Sequence, residues 1–358
     1  MRSRPEASAL AKDAFFAKAI VAWQLTHGRH DLPWQNTRDP YRVWLSEIML
    51  QQTQVVTVQA YFARFLVRFP NLNTLAHASL DEVLALWSGL GYYSRARHLH
   101  ACARAVMDVH GGAFPRSAAQ LAALPGIGPS TAAAIASICF DERAAILDGN
   151  VKRVLTRYLA FEADLAKAAS ERALLLEAQR LLPAADMAAD MPRYTQGVMD
   201  LGATLCTSKS PNCNACPLNS GCAALSRLEQ VRFPVKSRRV KRSSKSIWLL
   251  WASSAKGAVW LSRRPTPGVW AGLYCFPVFE DEAGLRTALD NTRWVTQSDL
   301  PAFKHVLTHM DLYLHAVHVV YAGAEQPSAD GAWYDLTQIK KLGLPAPIKK
   351  MLQTPGSA

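Results

Sequence analysis

Apolar positions recur with a helical period through the first two thirds of the chain. Residues 10–28 place Phe15, Phe16, Ile20 and Trp23 on one side of an amphipathic helix. Residues 30–40 are irregular, and Asp39-Pro40 can start the next helix, YRVWLSEIMLQQTQVVTVQAYFARFL, predicted as one piece. Helical patterns continue at 71–78 leading into LDEVLALWSGL, in YYSRARHLHACARAVMDVHG, and from 151 to 205 in VKRVLTRYLAF, SERALLLEAQRLL and MPRYTQGVMDLGATLC. Past residue 246 the texture changes. Residues 246–253, 258–263, 273–279 and 310–321 are rich in aromatic and β-branched side chains bounded by Gly and Pro, which predicts strands, and 344–352 closes as a helix. The chain therefore reads as multidomain: an all-α domain over 1–230, a linker at 231–246, and an α+β domain over 247–358.

One stretch of the helical part has a specific shape. Ser117 can cap a short helix ending near Leu124, Pro125-Gly126-Ile127-Gly128 makes a tight turn, and Pro129 opens a second helix through Phe140. Gly126 and Gly128 are expected to take positive φ and to let a ligand approach the backbone. Amides at the start of the second helix would then attract phosphate. This is a helix-hairpin-helix over 117–140, a device that grips nucleic-acid backbone without reading sequence. Twenty residues after Gly128 stands Asp148, in Leu147-Asp148-Gly149-Asn150. Alone, an Asp before Gly-Asn is a turn residue. Behind a DNA-gripping hairpin, and beside a helix whose N-cap is read as Asn150, it is a candidate anion held in its ionised form.

A second carboxyl lies upstream. Glu47 shares its helix face with Val43, Trp44, Leu50 and Gln51, and Arg42 is off that face. Desolvated there, its pKa should rise so that it keeps a proton near neutrality. The Gly89-Leu90-Gly91-Tyr92-Tyr93 break is expected to expose two tyrosines beside Arg95 and Arg97, a composition that suits base stacking and phosphate pairing as well as simple core capping.

Composition sharpens the picture in two places. The net charge of +12 over 358 residues is uneven, because residues 231–246, VRFPVKSRRVKRSSKS, hold seven Lys or Arg and no acid. Such a run is either a solvated linker or a tracker of phosphates. Seven cysteines is an odd number, which argues against a secreted disulfide framework, and four of them cluster. Cys206, Cys213, Cys216 and Cys222 stand as C-x6-C-x2-C-x5-C, a loop able to hold a [4Fe–4S] cluster or a zinc; the single CxxC and unequal outer spacings favour iron–sulfur. Neither a signal peptide nor a bilayer-length apolar run is found, so the expectation is a soluble intracellular protein.

Taken together, Leu32-Pro33-Trp34, VWLSEIMLQQTQV, LWSGLGYYSRARHLH, ALPGIGPSTAAAI, ILDGNVKRVL, YTQGVMDLGA, the cysteine loop and GVWAGLYCFP resemble the A/G-specific adenine DNA glycosylases (MutY type) of the helix-hairpin-helix repair superfamily. The resemblance covers nearly the whole chain. It implies a helix-hairpin-helix glycosylase domain with an iron–sulfur loop at 206–222, followed by a Nudix-like domain that recognises the lesion. It also implies that Glu47 is a general acid, that Asp148 supports the sugar cation, and that Asn150 holds that site in place. Gln52 and Tyr92 would push into the base stack, Trp34 and Gln196 would line an adenine pocket, and the four cysteines would bind [4Fe–4S]. Gly126, Gly128, Ser130 and Lys152 are expected at the DNA backbone. The implied partner is double-stranded DNA carrying A opposite 8-oxoguanine or G, met by a monomer in a bacterial cytoplasm with no membrane contact. Where the family has a Phe-Ser-His turn, this chain has Leu307, Thr308 and His309, so Thr308 and His309 would read the lesion without the aromatic ring.

The chemistry of the residues agrees with that implication. A base must leave the stack before its glycosidic bond is reached, adenine leaves well only when protonated, and the sugar cation wants an anion. A lyase of the endonuclease III kind needs a lysine amine two residues after the second hairpin glycine, and here that residue is Ser130. A purely DNA-binding protein would not need both carboxyls. A Nudix pyrophosphatase would need a glutamate-rich helix, which EDEAGLRTALDNTR is not.

Overall fold

Helices carry the first part of the molecule, and several are capped by a side chain that the sequence supplies. The computed structural model describes residues 4–237, 242–290, 294–321, 326–328 and 330–353, with side chains from residue 13 onward. Two compact units are found, one of residues 1–76 with 101–239 and one of 77–100 with 240–358.

The first unit contains no strand among its described residues. Its opening helix, Arg4–His27, buries Phe16, Ile20 and Trp23 and leaves Phe15 exposed. These side chains meet Val154, Tyr158, Leu174, Tyr194 and Leu201 in one core. Asp39 caps the helix Pro40–Leu50 by accepting from Tyr41 N at 3.0 Å. The single long helix expected here is two, because the chain breaks after Leu50 and resumes at Val55–Arg68. Gln52 lies in that break with a left-handed φ of 57°.

Two helices flank the turn at residues 125–128. Ser117 caps Ala118–Ala122, and Pro129 opens the helix that ends at Phe140. Only one of the turn's glycines needs its freedom. Gly126 has φ +74°, whereas Gly128 sits at φ −80° as the N-cap, in extended backbone open to any residue. The next helix, Gly149–Leu159, corrects another expectation. Its cap is Asp148, whose carboxylate accepts from Val151 N at 2.7 Å, and Asn150 is already inside the helix. Asn150 Oδ1 instead accepts from Arg153 at 2.7 Å. The helix Met191–Thr204 approaches this point so closely that a Cβ on Gly202 would stand 2.8 Å from that of Asn150.

The second unit is a mixed sheet with helices. Its strands are β1 (Ser243–Ser254), β2 (Val259–Arg263), β3 (Tyr274–Cys275), β4 (Val278–Phe279), β5 (Trp294–Asp299), β6 (Phe303–Val306), β7 (Met310–Tyr321) and β8 (Ala332–Tyr334). The main path runs β3-β2-β1-β7-β5, and the central pair β1–β7 is parallel from Ser243↔Met310 to Ser254↔Tyr321. Leu250, Ala252, Val317, Val319 and Tyr321 from that pair pack with Trp260, Leu285 and Leu289. A helix at Ala346–Gln353 closes the unit.

Residues 77–100 pack with this sheet rather than within a contiguous 1–230 domain. The reasons are specific: Ser88 Oγ and Tyr93 OH both donate to Leu344 O at 2.9 Å, and Arg97 donates to Ala271 O at 2.7 Å. Arg95 is buried, donates to Gly91 O, and lies over the rings of Trp87 and Tyr92. Neither arginine is the exposed phosphate partner that the sequence suggested.

The basic run at 231–246 is also more structured than a solvated linker. Phe233 is buried against Ala160 and Ala224, Ser237 N donates to Asp164 at 3.0 Å, and Ser243 already belongs to β1. Residues 238–241 of that run lie outside the described residues. None of the described helices is long and apolar enough to cross a membrane.

Candidate active site

Glu47 sits in the second half of the helix Pro40–Leu50, half-buried on the wall of a cavity. The cavity, about 350 Å³, is lined by Trp34, Gln35, Ser46, Glu47, Arg29 and Gln196 among others. Three residues singled out from sequence, Trp34, Glu47 and Gln196, therefore share one site. Trp34 is buried and packs edge-on against Phe62, with ring centroids 5.4 Å apart.

Burial, and then the neighbouring charge of Asp148, push the Glu47 carboxyl up to about 7. It is therefore a carboxylic acid that still holds a proton near neutrality. Asp148 does not line the cavity, although it interacts with Glu47 through its charge. Its own pKa is raised, not lowered as the helix end suggested. Burial dominates, and hydrogen bonds from the Val151 and Asn150 backbone and the charges of Arg153 and Lys152 oppose it. The correction has a simple cause, because a helix end acts through a few tenths of a charge whereas burial removes most of the water.

Around the hairpin the hydroxyl of Ser130 is engaged, accepting from Leu147 N at 3.0 Å. Lys152 Nζ is ion-paired to Glu171 at 2.5 Å. Gln52 is exposed on its turn, and no atom lies within 4 Å of a Cβ built on Gly128.

In the second unit, Tyr92 also has a left-handed φ, 49°, and its hydroxyl contacts that of Thr308. Both line a pocket of about 570 Å³ with His309, Trp270 and Arg97. Thr308 and His309 form the exposed connection from β6 to β7, which Leu307 N closes by donating to Met310 O at 2.9 Å.

The four cysteines follow the helix Met191–Thr204. Cys206, Cys213, Cys216 and Cys222 border one pocket together with Val154, Arg157, Tyr158 and Gln230. Among the described residues no group of three or more His, Cys, Asp or Glu is arranged to hold a single metal ion. The donor set is nonetheless thiol-only. Arg157 Nη1 lies 3.4 Å from Cys206 Sγ, and Gln230 Nε2 lies 3.8 Å from Cys213 Sγ, so the sulfurs face hydrogen-bond donors. Burial first, then the other cysteines, raise the Cys216 thiol to about 11.

Three contributors escaped the sequence reading. Both amide atoms of Gln35 are buried in the cavity region without a partner, and the only signal was its place beside Trp34. Arg157, almost fully buried, donates to the carbonyls of Thr207, Ser208 and Gln230 and so anchors the cysteine loop. Asp200, fully buried, accepts from both Arg29 and Gln196.

Residues 45–178 match the HhH-GPD superfamily of base excision DNA repair proteins, and 247–354 match a NUDIX domain. The adenine DNA glycosylase of Buchnera aphidicola subsp. Baizongia pistaciae is 36% identical, over 94% of this chain and 95% of its own. The mouse adenine DNA glycosylase is 44% identical over 60% of this chain and 42% of its own. Among solved structures, a thermostable thymine-DNA glycosylase superposes with a TM-score of 0.53 at 28% identity, over 61% of this chain and 98% of its own.

Proposed function

This chain belongs to the adenine DNA glycosylase family, and on that premise we propose that it removes adenine from duplex DNA where adenine stands opposite 8-oxoguanine or guanine. The observation that carries the proposal is the shared cavity of Trp34, Gln196 and a Glu47 whose pKa lies at about 7.

The flipped adenine enters the cavity, and Glu47, still protonated, delivers its proton to the base as the glycosidic bond lengthens. Asp148, charged when the reaction occurs, balances the sugar cation, and Asn150, tied to Arg153, keeps that end of the helix in position. Water completes the hydrolysis. Ser130 stands where an imine-forming lysine would be needed, which supports a monofunctional enzyme that leaves an abasic site. Gln52 and Tyr92, both exposed on left-handed turns, are suited to wedge the opened stack, at the strain such backbone carries. Gly126, Gly128, Ser130 and Lys152 line the side offered to the phosphates. Thr308 and His309 read the base opposite the adenine.

Cys206, Cys213, Cys216 and Cys222 would hold a [4Fe–4S] cluster, which supplies structural cross-linking of the loop rather than chemistry on the base. Arg157 and Gln230 fit that assignment because donors near cluster sulfurs stabilise their charge.

The test is single-turnover incubation with duplexes carrying A opposite 8-oxoguanine, A opposite G and A opposite T, followed by alkaline cleavage. Strand breaks at adenine in the first two and not the third are expected. Equal cleavage of all three, or breaks without alkali, would refute the reading.

A further inference from the structure

Asp200 lies one helical turn after Gln196, completely removed from solvent. Three donors of Arg29 converge on it: the backbone N–H at 3.0 Å, Nε at 2.8 Å and Nη2 at 2.7 Å. Gln196 Nε2 adds a fourth, at 2.9 Å from Oδ1. A carboxylate only accepts hydrogen bonds, so it dictates which end of the neighbouring amide turns toward it. The reversed amide would press Gln196 Oε1 against a charged oxygen and leave a buried repulsion.

From this we infer that Asp200 is a positioning residue that makes the cavity select a purine bearing an amino group at C6. With one N–H of its amide held by Asp200, which fixes the amide's orientation, Gln196 has Oε1, a pure acceptor, on its other side for whatever enters the cavity it lines. An acceptor takes a hydrogen bond from the C6 amine of adenine. It opposes the C6 carbonyl of hypoxanthine or guanine, and a mismatched buried pair is costlier than a missing one. Arg29 also lines the cavity, and its Nε–H and one Nη2–H are held by Asp200, which fixes the guanidinium in place. Asp200 is not on the cavity wall, so it acts through Gln196 and not on the base itself. The inference rests on the reading that the cavity receives the flipped base.

Three duplexes test it, differing only in the target nucleoside: deoxyadenosine, deoxyinosine, or deoxynebularine, which has no C6 substituent. Single-turnover excision is measured for the wild-type chain, Asp200→Asn and Gln196→Met, and each rate is divided by the wild-type rate for the same base. That ratio cancels the intrinsic lability of each glycosidic bond. In Asp200→Asn the new side-chain amide can present either its oxygen or its NH2, so the Gln196 amide is freed to turn. The adenine ratio should then fall roughly 5- to 50-fold below the hypoxanthine ratio, with nebularine changing least. Gln196→Met leaves the Arg29–Asp200 pair intact and should narrow the preference similarly. It decides the matter if Asp200→Asn fails to fold. An equal fall for all three bases in Asp200→Asn, or full preference kept by Gln196→Met, overturns the inference. A wild-type chain that releases no adenine would instead overturn the function assigned to the cavity.

Discussion

The side chain of Ser130 accepts a hydrogen bond from the backbone of Leu147 at 3.0 Å, so the hairpin's second helix is fastened to the residue just before Asp148. DNA grip and candidate anion are thus one mechanical piece. Ser130→Ala should orphan the Leu147 N–H and cost about 1–2 kcal/mol in denaturant titration. Excision should slow while the fold persists. Ser130→Lys breaks the same bond but supplies an amine, and trapping with borohydride should reveal lyase activity absent from the wild type.

Burial raises the pKa of both carboxyls, and that of Glu47 reaches about 7. In the proposed acid role Glu47 acts only when protonated, so excision should decline as pH rises through about 7. Stability follows the same group. A carboxyl whose folded pKa lies above its unfolded value of 4.5 keeps its proton longer in the native state. Stability therefore falls between pH 4.5 and about 7 and is flat beyond. Glu47→Gln removes the ionisation. It should abolish excision, by at least ~10²-fold, yet be more stable than wild type at pH 8 by about 1–3 kcal/mol. Asp148→Asn should also abolish excision, with duplex binding kept by both variants in fluorescence anisotropy. Near wild-type excision by Glu47→Gln would remove it from the acid role.

Anaerobically purified protein should be brown and carry about four irons per chain, the content of one cubane. Stoichiometric zinc without iron would contradict that. Chelation, or Cys213→Ser, should lower the melting temperature and loosen duplex binding. Arg157→Lys should produce part of the same loss, because lysine cannot reproduce the several carbonyl contacts of the guanidinium.

Lesion choice is assigned to the second unit. Thr308→Ala with His309→Ala should shrink the preference for A opposite 8-oxoguanine over A opposite G by ~5- to 150-fold, the worth of one or two hydrogen bonds. Excision of A opposite G should change much less. A double variant with undiminished preference would move the reader elsewhere.

Much of this site is legible from residue order. Glu47 is recognisable because apolar neighbours three and four positions away predict its desolvation, and the helix boundaries of the hairpin follow from Ser117 and Pro129. What resists reading has local causes. Asp148 and Asn150 are both good cap formers two residues apart, and the cap bond to Val151 falls to Asp148 while Asn150 accepts from Arg153. The break at Gln52 carries no Gly or Pro to announce it. Strands β5 and β6 are largely exposed, so they lack the apolar alternation that marks β7. Asp200 is unremarkable in sequence, since its partner Arg29 lies far upstream and no spacing rule connects them.

The pairing of β1 with β7 bears on how this protein is made. Strand β1 finds its parallel partner only in the last part of the chain, so its centre stays open while the intervening residues emerge from the ribosome. Until Tyr321 has been synthesised, the side of β1 that faces β7 stays an unpaired edge, although β2 and β4 can already pair with its other side, and such an edge invites other nascent chains. A message cut short before Met310 would therefore yield more than a shortened chain. It would yield a sticky polypeptide, removed by proteases or deposited as aggregate, and a late nonsense mutation would resemble a null allele in the cell.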